Sequence, residues 1–226
     1  MSIVLRPAVA ADVPGLAEVI RVALHDTPDP ALIAANIALD DHAVLVAAAG
    51  DSIAGLAAGF TTLDTEGSLR WELDLLAVSP AYRRQGLGRR LIAACTAAGQ
   101  AAGATQARAL VAVGNVPSQR AFRHAGYALV PEMCGLYVSL PGDAPPALPA
   151  HAAPFLIPVT TLTYRGLWIE GDITPGGLHS ACRVRDRYGW HSTGAVVPVS
   201  AAAAHAALRA APFDLIGQFQ WWARGL

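Results

Sequence analysis

Hydrophobic residues at Val13, Leu16, Val19, Ile20, Ala23 and Leu24 recur at helical spacing behind Asp12, which is placed to cap the helix they predict. A second helix is predicted over 29–40, carrying Leu32, Ile33, Asn36 and Ile37. Then the period changes. VLVAAAG (44–50) reads as a strand, Gly50-Asp51 as a turn, and IAGLAAGFTTL (53–63) as the returning strand. WELDLLAV (71–78) is the clearest strand, with Trp71, Leu73, Leu75 and Ala77 on one parity and Glu72, Asp74, Leu76 and Val78 on the other. Pro80 helps end it. Leu87, Leu91, Ile92 and Cys95 form one face of a helix reaching about Ala102. ARALVAV (107–113) predicts a strand, SQRAFRHA (118–125) a short helix, and YALVPEMCGLYVSL (127–140) one or two strand segments. Strands alternating with helices predict an α/β fold in which helices cover a central sheet.

Residues 141–154 contain five prolines and read as a stiff connection. They divide the chain into a core at 1–140, a linker at 141–154 and a smaller, strand-rich C-terminal extension at 155–226. In the extension FLIPVTTLTYRGLWIEG looks strand-rich, SACRVRDRYG and GAVVPV read as further strands, and AAAAHAALRAA (201–211) as a short helix. Trp168, Trp190, Trp221 and Trp222 crowd this tail. Such large side chains suggest docking on the first lobe or on a partner, a homodimer through the extension included. No internal repeat is evident.

Apolar residues make up 54% of the 226, enough for a packed core and too many for a disordered chain. No apolar run approaches the roughly 18 residues of a membrane span, and the opening residues lack a basic start and a hydrophobic block. The expectation is therefore no membrane partner and a cytoplasmic location. Cys95, Cys134 and Cys182 give neither a disulfide framework nor a Cys-x-x-Cys pair. The least implausible metal set, His179 and Cys182 with His191, lacks a fourth ligand, so no metal is expected.

The net charge of −1 hides a division. Residues 1–74 carry eleven acidic against three basic side chains, residues 75–131 carry seven arginines and no acid, and the remainder balances six against six. One basic segment in a near-neutral chain suits a compact anionic ligand better than a nucleic acid, which is not expected as a partner. All sixteen basic residues are arginine, so neither a Schiff-base lysine nor a Walker A lysine is available.

The arginine segment holds the informative unit, ELDLLAVSPAYRRQGLGRRLIAA (72–94). A strand ends, arginines appear, and Gly86 and Gly88 precede a helix. Backbone N–H groups at such a glycine turn, with the helix N-terminus behind them, suit a pyrophosphate, and Arg83, Arg84 and Arg89 could add charged contacts. The dinucleotide fingerprint is not met, because Leu91 stands where its third glycine belongs.

Arg83-Arg84-Gln85-Gly86-Leu87-Gly88 resembles the acyl-CoA signature Q/R-x-x-G-x-G/A of the GCN5-related N-acetyltransferase (GNAT) superfamily. Downstream, Asn115, Ser118, Ala121, Phe122, Gly126 and Tyr127 fall at the spacing of that family's second conserved segment. The resemblance covers about residues 3–140. It implies a mixed sheet splayed at its centre and flanked by helices, and acetyl-CoA as cosubstrate. The main chain of Leu76, Ala77 and Val78 would bind the pantetheine arm, and the loop of Arg83, Arg84, Gln85, Gly86, Leu87, Gly88 and Arg89 the pyrophosphate. Asn115, Ser118 and Phe122 would lie beside the arm.

Glu72 shares the parity of Leu76 and Val78 and matches the position at which histone acetyltransferases of the family carry their base, with Asp74 as alternate. Phe122 stands where the family often places a tyrosine that protonates the leaving thiolate, so the acid is open. Cys95 reads as structural, and no covalent acyl-enzyme signature is evident. The implied activity is direct transfer of an acetyl group to a primary amine of a small molecule or peptide. The rivals are a CoA-binding regulatory or structural protein and transfer of a longer acyl group or to an oxygen acceptor.

Overall fold

The computed structural model describes residues 3–142 and 155–226, which form two compact units. The first comprises residues up to Val130 with Thr161–Thr163 and Trp221–Leu226; the second comprises Pro131–Thr160 and Tyr164–Gln220. Residues 143–154, most of the expected proline-rich linker, lie outside the described residues. Among the described residues no helix is long and apolar enough to cross a membrane.

In the first unit β1 (Ile3–Pro7), β2 (His42–Ala49), β3 (Ser52–Leu63) and β4 (Leu69–Val78) pair antiparallel in that order, and β5 (Gln106–Ala112) joins β4 in parallel. α1 (Val13–Leu24) and α2 (Pro30–Ile37) precede β2; α3 (Leu87–Ala101) is the crossover from β4 to β5, and α4 (Val116–His124) follows β5. Leu16, Val19 and Ile20 of α1 and Ile33 of α2 bury one sheet face, against Val44, Val46, Leu56 and Ala77. Leu91, Ile92 and Cys95 of α3 bury the other, with Trp71, Leu73 and Trp222. Asp12 precedes α1 but its side chain does not cap it. The carboxylate instead accepts two hydrogen bonds from Arg6, at 2.6 and 2.8 Å, and one from Val9 N–H.

A bulge on β4 breaks the alternation that its sequence suggests. Ala58 pairs with Leu75 and Gly59 with Leu73, which leaves Asp74 as the extra residue. One inserted residue moves everything after it to the opposite face. Trp71 and Leu73 therefore share the α3 side with Leu76 and Val78, while Leu75 and Ala77 turn toward α1. Glu72, on the other face from Trp71 and Leu73, is thereby separated from Leu76 and Val78. The expectation that these three share a face does not hold.

The second unit pairs β7 (Phe155–Thr160) antiparallel to β8 (Arg165–Glu170), β8 parallel to β9 (Ser192–Pro198), and β9 antiparallel to Cys134–Ser139 of β6 (Ala128–Ser139). SACRVRDRYG is not a strand but most of α5 (Pro175–Tyr188), whose buried Leu178, Ala181, Cys182 and Arg185 recur at helical spacing. Thr174 caps it by accepting from Gly177 N–H at 3.1 Å. α6 (Ala202–Ala210) and β10 (Asp214–Gly225) complete the chain.

The element orders β3-β4-α3-β5-α4-β6 and β7-β8-α5-β9-α6-β10 repeat one topology. Their last strands are exchanged. β6, which follows α4, pairs with β9 of the second unit, and β10 ends beside β5 of the first, where Leu226 N–H donates to Thr105 O at 3.0 Å. The boundary expected at residue 140 is replaced by this exchange: the first unit is built from three chain segments.

Candidate functional site

β4 and β5 are paired only at Arg70, Trp71 and Glu72 with Gln106, Ala107 and Arg108. Beyond those residues the two parallel strands separate. The opening leads into a groove of about 910 Å³. Leu76, Ala77 and Val78 form one wall, Tyr82 to Arg84 and Gly86 to Arg89 its end, and one face of α4 the other wall.

The groove's end is the opening turn of α3. Arg84 and Gly86 hold positive φ, 61° and 73°, so the chain turns sharply before the helix. The first helical bond runs from Arg90 N–H to Gly86 O at 3.2 Å. The N–H groups of Leu87, Gly88 and Arg89 precede it and have no intrahelical partner. They carry the positive end of the helix dipole. A Cβ on Gly88 would come no closer than 3.8 Å to Ala121 and 4.0 Å to Leu76, two groove residues. Nothing among the described residues forbids a side chain there, so its absence keeps the groove open. Arg83 Nε donates to Val78 O at 3.2 Å, which pins the loop to the strand end. Arg83, Arg84, Arg89, Arg120 and His124 line the groove, and among the described residues no carboxylate does.

Most expected binding residues meet at this groove. Leu76, Ala77, Val78, Arg83, Arg84, Gly86, Leu87, Gly88, Arg89, Asn115 and Ser118 all line it. Asn115 also caps α4, accepting from Ser118 N–H at 3.2 Å. Two residues do not join them. Gln85 is exposed and off the wall. Phe122 is buried in the core, edge-on to Tyr127 at 5.1 Å between ring centres. The α4 face that does meet the groove carries Pro117, Arg120, Ala121 and His124. Those positions stand at i, i+3, i+4 and i+7, a spacing readable from the sequence once Ser118 is placed on the wall. Tyr82, Ala23 and Leu24 are further wall residues without a motif to mark them.

The two carboxylates expected to act as base have opposite surroundings. Glu72 is 2% exposed. Arg108 Nε donates to both its oxygens at 2.9 Å, Arg70 Nε lies 3.0 Å from Oε1, and Thr62 Oγ1 donates at 2.8 Å. A carboxyl so held has its oxygens occupied by protein donors. Asp74 is half-buried and makes no hydrogen bond or ion pair among the described residues. Desolvation, with the Glu72 charge adding to it, pushes its carboxyl up to about 7. Burial likewise pushes the Cys95 thiol and the Tyr127 hydroxyl up to about 12, which leaves both protonated core groups.

Many acids of the N-terminal region are used locally. Glu18 pairs with Arg21, Asp29 caps α2, Asp41 holds His42, and Asp64 accepts from Glu66 and Ser68 N–H.

Residues 16–127 match the model of the acetyltransferase (GNAT) family. No curated protein matches the chain in sequence. Among solved structures, a GCN5-related N-acetyltransferase from Sphaerobacter thermophilus aligns over 99% of this chain and 95% of its own, at 15% identity and a TM-score of 0.63. A GCN5-related glucosamine N-acetyltransferase region of a fungal multi-domain GH3 β-N-acetylglucosaminidase aligns over 99% of this chain and 38% of its own, at 12% identity and 0.65. Salmonella typhimurium yncA, solved with its cofactor acetyl-CoA, covers 59% of this chain and 84% of its own, at 22% identity and 0.52. The first two extend the fold likeness past residue 140 to nearly the whole chain.

Proposed function

Because residues 16–127 form a domain of the acetyltransferase (GNAT) family, we propose that the groove between β4 and β5 binds acetyl-CoA and that the chain passes its acetyl group to a primary amine of a small molecule or peptide. The observation that carries this reading is the opening turn of α3, where unpaired N–H groups, an empty Gly88 and surrounding arginines suit a diphosphate. The backbone of Leu76, Ala77 and Val78, freed from pairing with β5, offers hydrogen-bonding groups to an extended amide-bearing arm.

When bound, acetyl-CoA supplies a thioester carbon open to attack by a neutral amine. Asp74, rather than Glu72, is the base that receives the amine proton; it stands two residues before the wall residue Leu76 and so acts through water. Burial, with the Glu72 charge, pushes its carboxyl up to about 7, near the working pH of a general base, and among the described residues no donor occupies it. As the new C–N bond forms, the C–S bond breaks and the departing thiolate needs a proton. Phe122 has none to give, and its ring lies in the core. Tyr82, Ser118 and His124 are the wall residues with a proton to offer.

Calorimetric titration with acetyl-CoA, then detection of free CoA thiol against amines including glucosamine, a polyamine and a peptide, tests the reading. Asp74→Asn should lower turnover by about 10²-fold or more and leave acetyl-CoA affinity unchanged. Because the base works ionised, kcat/KM of the wild type should rise as pH climbs through about 7. A flat profile would remove Asp74 from the reaction. Binding without thiol release for any amine would favour CoA binding without catalysis, the alternative that Phe122 supports.

A further inference from the structure

Glu72 belongs to a row of side chains crossing the first unit from strand to strand. His42 is paired with Phe60, Phe60 with Glu72, and Glu72 with Arg108. His42 stacks on Phe60 at 5.2 Å between ring centres. The row ends at Trp221 of β10, whose ring lies 4.1 Å from Arg108 Cζ. We infer that Trp221 is a positioning residue that acts through Arg108 and Glu72 on the carboxylate of Asp74. The last residues of the chain would thus help set the proton affinity of the proposed base. The catalytic consequence rests on the reading of Asp74 given above; the electrostatic linkage does not.

The steps from Trp221 to Arg108 and from Arg108 to Glu72 are contacts; the step from Glu72 to Asp74 is the reach of a charge along β4. Arg108 presents one edge of its guanidinium to Glu72, with Nε serving both oxygens, and its face to Trp221. The indole thus fixes the plane in which the cation meets the carboxylate. Without it one face of the guanidinium, on a side chain 14% exposed, is opened to water and its plane is no longer fixed. Arg70 and Thr62 still hold the Glu72 carboxyl in place. Asp74 lies two residues further along β4, at the bulge.

Few other charges face it. β3 presents Ala58 and Gly59 across the bulge. α1 and α3, the helices packed on β4, keep Glu18, Arg21, Arg89 and Arg90 exposed. Burial is the larger cause of the raised proton affinity at Asp74 and the Glu72 charge the smaller; the two arginines held on Glu72 oppose that charge. Moving Arg108 away strengthens the effect of the Glu72 charge and raises the titration point; removing Glu72 lowers it. At an effective dielectric of about 20, displacing one nearby charge shifts such a midpoint by up to roughly one pH unit.

The test is a carbon-13 NMR titration of the aspartate carboxyls in the full chain, with the Asp74 signal assigned by its loss in Asp74→Asn. Relative to wild type, the midpoint should rise by up to about one unit in Arg108→Gln and Trp221→Leu. It should stay near wild type in Trp221→Phe, which keeps an aromatic face, and fall in Glu72→Gln. Should Trp221→Leu not fold, Trp221→Gln takes its place at this partly exposed position. A Trp221 variant that melts earlier yet leaves the Asp74 midpoint in place overturns the proposal, because packing alone would do that. The pH profile of CoA release is read separately. A midpoint that moves while the profile stays fixed keeps the linkage and removes Asp74 as base; an unmoved midpoint removes the linkage whatever the activity shows.

Discussion

At Gly86 and Gly88 the missing side chain serves two different ends. Gly86 holds φ of +73° and a Cβ there would meet nothing within 4 Å, so a larger residue is penalised by the backbone alone. Gly88 has no such constraint, but its Cβ would enter the groove between Ala121 and Leu76. Gly88→Val should therefore cut acetyl-CoA affinity by tenfold or more with little loss of thermal stability, whereas Gly86→Val should lower stability by about 1–2 kcal/mol. Calorimetry and thermal melts on both variants separate the two effects, and full affinity in a folded Gly88→Val would remove the groove as the donor site. The sequence marked both glycines as one motif. Their division of labour was not legible, because it depends on φ and on what stands across the groove. The same holds for Glu72 and Asp74: two acids two apart on a strand read alike until the three donors on one and the bare surroundings of the other are seen.

At the scale of elements, local pattern predicted most of what it could reach. β2 to β5 and α1 to α4 fall close to their expected spans, since each carries its own period and breakers. α5 was misread because arginine, aspartate and tyrosine mask its apolar face, although Thr174 followed by Pro175 is a helix-start signal. The bulge on β4 was invisible. Leu73-Asp74-Leu75 alternates without a flaw, and the extra residue exists only in the register with β3. Trp71, three residues before the bulge, sits in a slot between two glycines. A Cβ on Gly59 would stand 2.7 Å from the Trp71 ring, and one on Gly99 of α3 would overlap the Trp71 side chain more severely still. Helix propensity alone favours Gly99→Ala by about 1 kcal/mol. Overpacking a fully buried indole costs about 1–3 kcal/mol, so the variant should be destabilised despite the better helix former. A denaturant melt in which Gly99→Ala gained stability would show that α3 can shift outward at no cost.

Over the whole molecule, the decisive feature is that chain order and unit membership disagree. The repeat of strand, helix, strand, helix and strand leaves no trace in residue identity, and the exchange of β6 and β10 moves each unit's last strand to the far side of the linker in sequence. A reader of the chain alone therefore places a boundary near residue 140 and treats the tail as an appendage. The tail's tryptophans show otherwise. Trp222 is 1% exposed in the core that also buries Leu87, Leu91 and Phe122, and Arg224 donates to Ala125 O at 2.9 Å beyond the end of α4. The elements that form the groove thus lean on residues more than 130 positions downstream of Gly88. Ending the chain at Gln220 removes Trp221, Trp222 and the Leu226 bond to Thr105. Loss of one buried tryptophan side chain alone costs about 3–5 kcal/mol, a large share of a typical domain's stability of about 5–15 kcal/mol. The truncated chain should melt at least 10 °C lower and bind acetyl-CoA weakly, with part of the loss recovered at saturating ligand because only the folded state binds it. An unchanged melting temperature after truncation would mean that the first unit closes without its borrowed strand, and the interdependence of the two halves would fall with it.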